Sequence, residues 1–246
     1  MKKETLIAIG FSALLMSCNA PKQENVNAGP EETKQEIKGL VQEVLTKEQQ
    51  DALTADAVIT SFKEGNERFI NNDLTARDHS AQVRNSTMSQ YPKAIVLSCV
   101  DSRVPVEDVF DRGIGDIFVA RVAGNFVNED ILGSMEFACK VSGSKLVLVM
   151  GHEHCGAVKA AVDDVKLGNI TPMLSKIRPA VTSLEYEGDR TSKNAEFVHM
   201  ACESNVKNTI NEIRKQSPIL KEMEDNGEIK VVGAVYDMDS GKVDFL

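Results

Sequence analysis

Apolar positions along the chain fall into two patterns. Continuous runs stand at Ala94–Ser98, Ile117–Ala120 and Leu146–Met150, and a fourth β-rich run at Ile229–Tyr236. Short unbroken apolar runs read as strands covered on both faces. Between them, helical spacing covers about 130–142, 153–166 and 195–215. This alternation predicts an α/β fold with a central four-stranded, mainly parallel sheet flanked by crossover helices. Upstream, Thr54 can cap a helix whose buried side carries Val58, Ile59, Phe62, Phe69 and Ile70. Residues 168–193 hold two glycines and two prolines and read as a loop with a short helix starting near Pro172. Ile37, Leu40, Val41, Val44 and Leu45 also repeat at helical spacing, over 33–45. That helix is either transient within a tether or an arm that packs on a partner subunit.

The first residues carry a different pattern. Lys2 and Lys3 precede a mostly apolar stretch, Leu6 to Met16. It is shorter than the roughly 20 residues of a spanning helix and fits a secretory signal. Leu15-Met16-Ser17-Cys18 resembles a bacterial lipobox, which implies cleavage before Cys18 and diacylation of its thiol. An ordinary signal peptide with a chance cysteine is the alternative. Asn19 to Glu32 is polar and reads as a flexible tether. The expected organisation is a lipoprotein signal peptide at 1–17, a tether and amphipathic arm at 18–45, and a catalytic domain at 46–246. Such a chain is exported and touches the membrane only through its lipid, its domain lying in the periplasm or at the cell surface.

Composition narrows the function. The 246 residues are 42% hydrophobic and 26% charged, an ordinary globular balance, and enough to bury a large core. A net charge of −9 without a Lys/Arg cluster argues against nucleic-acid binding. Five cysteines are too few for a disulfide scaffold and are read singly.

In open α/β sheets, ligands bind beyond the carboxyl ends of the strands. The first run ends in Ser98-Cys99-Val100-Asp101-Ser102-Arg103, and the third in Gly151-His152-Glu153-His154-Cys155-Gly156. Cys99, His152 and Cys155 can therefore meet at one edge. Two thiolates and an imidazole suit zinc, and three protein ligands leave the fourth position of a catalytic site open. Cys155 falls where strand passes into helix, and a helix N-terminus favours the thiolate. Asp101 and Arg103 can pair, which holds an oriented, ionised carboxylate beside the metal. Asp101 can also swing round to become the fourth ligand.

Three motifs in order now resemble the β-class carbonic anhydrases: Cys99-Val100-Asp101-Ser102-Arg103-Val104-Pro105, Arg121-Val122-Ala123-Gly124-Asn125, and Gly151-His152-Glu153-His154-Cys155-Gly156. The likeness runs from about Ser61 to Tyr236. It implies hydration of carbon dioxide to bicarbonate and a proton by zinc-bound hydroxide, one Zn2+ per subunit, and a homodimer or higher oligomer. Cys99, His152 and Cys155 match the zinc ligands, Asp101 and Arg103 the catalytic pair, and Asp101 the fourth ligand of the closed form. Gln90, nine residues before Cys99, matches a bicarbonate-contacting glutamine of the plant-like subtype, and Phe118 an aromatic lining residue there. That pocket is completed by a second subunit. A second subtype carries a regulatory bicarbonate site around a tryptophan. Here Val96 takes its place, so Arg121 lacks that partner.

His154 reads as facing solvent on the first helical turn or as a proton shuttle, His79 and His199 as surface or core residues, and Cys139 and Cys202 as buried thiols or a disulfide. The rival functions are a related zinc hydrolase acting on carbon disulfide or carbonyl sulfide, and a non-catalytic zinc-binding lipoprotein.

Overall fold

A computed structural model describes residues 39–246. The signal peptide, Cys18 and the tether lie outside the described residues.

Five strands form one sheet in the order β2-β1-β3-β4-β5. They are β1 Ala94–Ser98, β2 Ile117–Arg121, β3 Leu146–His152, β4 Lys230–Tyr236 and β5 Val243–Phe245. The first four are parallel, with Ala94 level with both Ile117 and Leu146. The fifth strand departs from the four-stranded expectation. Asp237 accepts from the Asp239 amide and the Ser240 hydroxyl, and Gly241 sits at φ +77°. That turn reverses the chain, and three residues pair antiparallel to β4. Three residues are too few to show a period.

The helices are α1 Lys47–Asp51, α2 Ala55–Ile70, α3 His79–Asn85, α4 Val106–Val109, α5 Glu129–Glu136, α6 Gly156–Val162, α7 Ile170–Leu174, α8 Arg178–Thr182, α9 Ala195–Gln216 and α10 Pro218–Asp225. A π-turn, Phe137–Val141, extends α5. Alternation along β1 and β3 sorts the core by face. Ile95, Leu97, Val147 and Val149 pack with Met135, Ile213 and Leu220. Val96, Leu146, Leu148 and Met150 pack with Val58, Phe62 and Phe110. β1 and β3 are buried throughout, as their apolar runs require. β2 is only half-buried, because an edge strand has one neighbour.

Thr54 caps α2 by accepting from the Ala57 amide. Val58 and Phe62 are fully buried, but Ile59 and Phe69 are partly buried and Ile70 is exposed. The helix expected over 33–45 is corrected over its described part. Residues 39–46 are not helical. Val41 instead exchanges backbone bonds with Ala76 and Asp78 (2.9 and 3.0 Å), and helix starts at Lys47, where Thr46 and Gln49 form a capping box. The helix expected over 153–166 is also shorter, at both ends. His154 and Asp164 lie at φ +54° and +53°, a conformation that cannot continue a helix. Among the described residues, no helix is long and apolar enough to cross a membrane.

Candidate metal centre

β1 and β3 are parallel neighbours, so their carboxyl ends share one edge. Cys99 follows β1, His152 ends β3, and Cys155 is the N-cap of α6. The three are 4%, 1% and 1% exposed. Their ligand atoms all lie within 4.8 Å of one another, and the two sulfurs are 3.9 Å apart. Tetrahedral zinc with ordinary Zn–S bonds needs a sulfur separation of about 3.8 Å.

His152 supplies the second test of fit. Its Nδ1–H donates to the Glu153 carbonyl at 2.8 Å, which leaves Nε2 with a free lone pair. Nε2 is buried and has no hydrogen-bond partner. A buried acceptor without a partner is costly, and an ion held with the two sulfurs removes that cost. The donor set, two thiolates and an imidazole, therefore fits zinc.

Hydrogen bonding between the two sulfurs lowers Cys99, against the opposing effect of burial. The same bond, together with burial, pushes Cys155 up. The two sulfurs thus form a hydrogen-bonded pair, and a divalent cation held there would favour the deprotonated form of both. Cys99 also receives the Gly124 amide at 3.4 Å, while Cys155 stands at the N-cap of the seven-residue α6.

Asp101 stands beside this group. Arg103 Nε and Nη2 donate to its two carboxylate oxygens at 2.9 and 2.8 Å, and the Arg103 amide adds a third bond at 3.0 Å. Arg103 holds the carboxyl well below the usual range. Asp101 Oδ2 lies 3.9 Å from His152 Nε2. With both oxygens engaged by Arg103, Asp101 adjoins the three-ligand cluster in this structure. Arg121 clamps the same loop from behind, donating to the carbonyls of Cys99, Asp101 and Val104 at 2.9, 2.8 and 2.7 Å. In the sequence Arg121 reads only as the start of the second motif and as lacking a tryptophan partner, so its bonds to these carbonyls are not legible there. Its signal was an arginine at a strand end with no nearby acid.

The other predicted residues lie elsewhere. Gln90 is exposed, in a cleft with Ser86, Met88, Ile114 and Gly115 that no metal-site residue lines. Phe118 lies on β2 level with Ile95, edge-on to Phe137 at 6.2 Å. These two aromatics border an apolar cleft with Ile95, Ala120 and Ile131. Phe137, half exposed, was not singled out from sequence, where it read as one more apolar helical position. His154 precedes α6 and is exposed, and His199 pairs with Glu153 at 3.1 Å. Cys139 and Cys202 are buried free thiols in separate clusters, both pushed up to about 12 by burial. Among the described residues, neither forms the disulfide that was the alternative.

Comparison with known proteins agrees with this geometry. The family described as carbonic anhydrase matches residues 94–243. Carbonic anhydrase 2 of Mycobacterium tuberculosis is 34% identical over 191 residues, which cover 74% of this chain and 88% of that protein. The carbonic anhydrase of Mycolicibacterium smegmatis is 31% identical, covering 75% and 89%. Among solved structures, the β-carbonic anhydrase CafA of Aspergillus fumigatus superposes with a TM-score of 0.59 at 27% identity, covering 78% of this chain and 89% of that one. The Coccomyxa β-carbonic anhydrase shares the fold, with a TM-score of 0.61 at 24% identity, covering 77% and 84%. With the sulfur–imidazole cluster and its flanking carboxylate in place, the chain belongs to the β-carbonic anhydrases.

Proposed function

We propose that this chain hydrates carbon dioxide reversibly to bicarbonate and a proton, with zinc held by Cys99, His152 and Cys155. The observation that carries the reading is the buried, unpartnered His152 Nε2, facing two sulfurs 3.9 Å apart and the Arg103-locked Asp101 carboxylate. Zinc there supplies a Lewis acid that makes water nucleophilic near neutral pH. The chain does the rest. Arg103 keeps Asp101 ionised, so Asp101 acts only as an acceptor and orients the attacking water. Arg121 holds the backbone of the loop that carries both Cys99 and Asp101. The released proton passes to buffer.

Gln90 and Phe118 enter through a second copy of the chain. Both lie away from their own metal ligands, and the half-buried edge of β2 with exposed Phe137 is apolar surface suited to a neighbour. This reading calls for a homodimer that brings Gln90 and Phe118 to the partner's metal. The amino-terminal Leu15-Met16-Ser17-Cys18 supports a lipid anchor that holds the enzyme at a bacterial membrane, its domain in the periplasm or at the cell surface.

Stopped-flow hydration by purified, zinc-loaded protein tests the activity, with sulfide release from carbonyl sulfide and carbon disulfide measured in parallel. Hydration well above the buffer rate is expected. A folded, zinc-replete sample that hydrates no carbon dioxide overturns the reading. Membrane fractionation of a Cys18→Ser variant tests the anchor, with loss of membrane retention expected.

A further inference from the structure

α9 crosses behind the metal centre and presents mostly apolar side chains to it. Of the two buried polar side chains on α9, Asn205 and Thr209, Asn205 is the one bonded to the turn beside Cys99. It is fully buried, its Nδ2 donates to the Gly124 carbonyl at 2.8 Å, and its Oδ1 has no partner. A leucine would fill a similar volume without that unpaired oxygen, so the amide has to repay a desolvation cost.

Its partner explains why. Gly124 sits at φ +82°, where a Cβ would come within 2.3 Å of Ile177 Cδ1. The turn it occupies is tied to β1 by the Val122 amide on Ser98 and closed by the Asn125 amide on Val122. The Gly124 N–H points at Cys99 Sγ at 3.4 Å. Asn205 is the side chain from another element that anchors this turn, on the peptide next to the one bonded to sulfur.

We infer that Asn205 is a positioning residue for the metal: by pinning the Gly124 carbonyl it aims the Gly124 N–H at the Cys99 sulfur and so sets how much charge that sulfur donates. This inference rests on Cys99 ligating zinc as proposed above. An N–H bond to a thiolate draws charge from it, and such outer contacts tune a metal site. Without the bond the sulfur donates more strongly and the ion is a weaker Lewis acid.

The test uses the full protein loaded with Co2+, whose thiolate charge-transfer band reports sulfur donation directly. Asn205→Leu is expected to shift that band to longer wavelength, raise the pH midpoint of hydration by about one unit, and lower neutral-pH activity about ten-fold. Thr209→Val is the control. Thr209 is buried one turn further along α9, with its hydroxyl unpartnered, and the variant should leave the band unmoved. On wild-type protein, a spin-half cadmium isotope in place of zinc should couple across the hydrogen bond to the Gly124 amide proton. An unshifted band in a folded Asn205 variant, an equal shift in Thr209→Val, or absent cadmium coupling to Gly124 each overturns the inference. Because band and coupling are read without substrate, protein that passes both yet hydrates nothing leaves the inference standing and removes only the activity.

Discussion

Arg103 meets Asp101 side-on, with Nε and Nη2 donating to the two carboxylate oxygens at 2.9 and 2.8 Å. Both acceptor oxygens are thereby oriented next to the metal ligands. Asp101→Asn, of the same shape but with a donor where an acceptor is needed, should cut hydration by about two to four orders of magnitude with zinc retained. Arg103→Lys keeps the charge but not the fork, and should cost about ten-fold. Zinc content and stopped-flow rates on the same samples check both.

The same pairing fixes a pH dependence. Arg103 lowers the Asp101 carboxyl well below its ordinary range. Its ionised form is therefore present throughout the neutral range and is lost only in strong acid, as pH falls through the lowered value. Asp101 should contribute no limb to the pH–rate profile above about pH 4. A limb near neutrality that disappears in Asp101→Asn, assayed for its residual rate, would contradict this.

Asp111 is the structural counterpart. It is buried, and Arg77, Thr75 and Arg68 outweigh the burial that would otherwise raise it, bringing it down to about 2. A depressed carboxyl stabilises the fold above its unfolded value near 4, and that stability drains away as pH falls from 4 through about 2. The loss should be roughly 2–3 kcal/mol. Asp111→Asn should cost about 3 kcal/mol at neutral pH by leaving its arginines unpaired. Urea titrations at several pH values should show the wild-type advantage shrinking towards pH 2.

Metal removal should expose one thiol selectively. The Cys155 hydrogen bond and the Gly124 amide lower Cys99, whereas Cys139 and Cys202 are pushed up to about 12 by burial. After chelation, alkylation followed by peptide mapping should find Cys99 modified first within the described domain. Cys139 and Cys202 should react only on unfolding. With zinc bound, Cys99 should be protected.

Gly124→Ala places a Cβ against Ile177 and demands a left-handed alanine. The backbone alone costs about 1–2 kcal/mol, and the clash adds to it. Thermal denaturation should show a drop of at least about 2 kcal/mol, with weaker metal retention, because the turn that carries the amide to Cys99 has to move.

Much of this molecule was legible before it was folded. β1 and β3 were readable as unbroken apolar runs because both their faces are covered. Cys99, His152 and Cys155 could be placed at one edge because parallel neighbouring strands end together. β5 escaped notice because a turn, not a period, creates it. Residues 39–45 carry helical spacing, yet the backbone of Val41 finds its partners on Ala76 and Asp78. α6 stops short because His154 and Asp164 adopt left-handed conformations that apolar spacing does not record.

Residue types and their order determined the donor set, the dyad and the α/β alternation, since each depends on local chemistry and short spacing. Long-range packing alone decided that the Gly124 amide meets the Cys99 sulfur, that Arg121 clamps the catalytic loop, and that Asn205 reaches Gly124 across 81 positions of chain. These are contacts between side chains and distant backbone groups. No pattern along the sequence encodes them, because a carbonyl presents the same acceptor whatever residue bears it, and only the fold selects which one a donor meets.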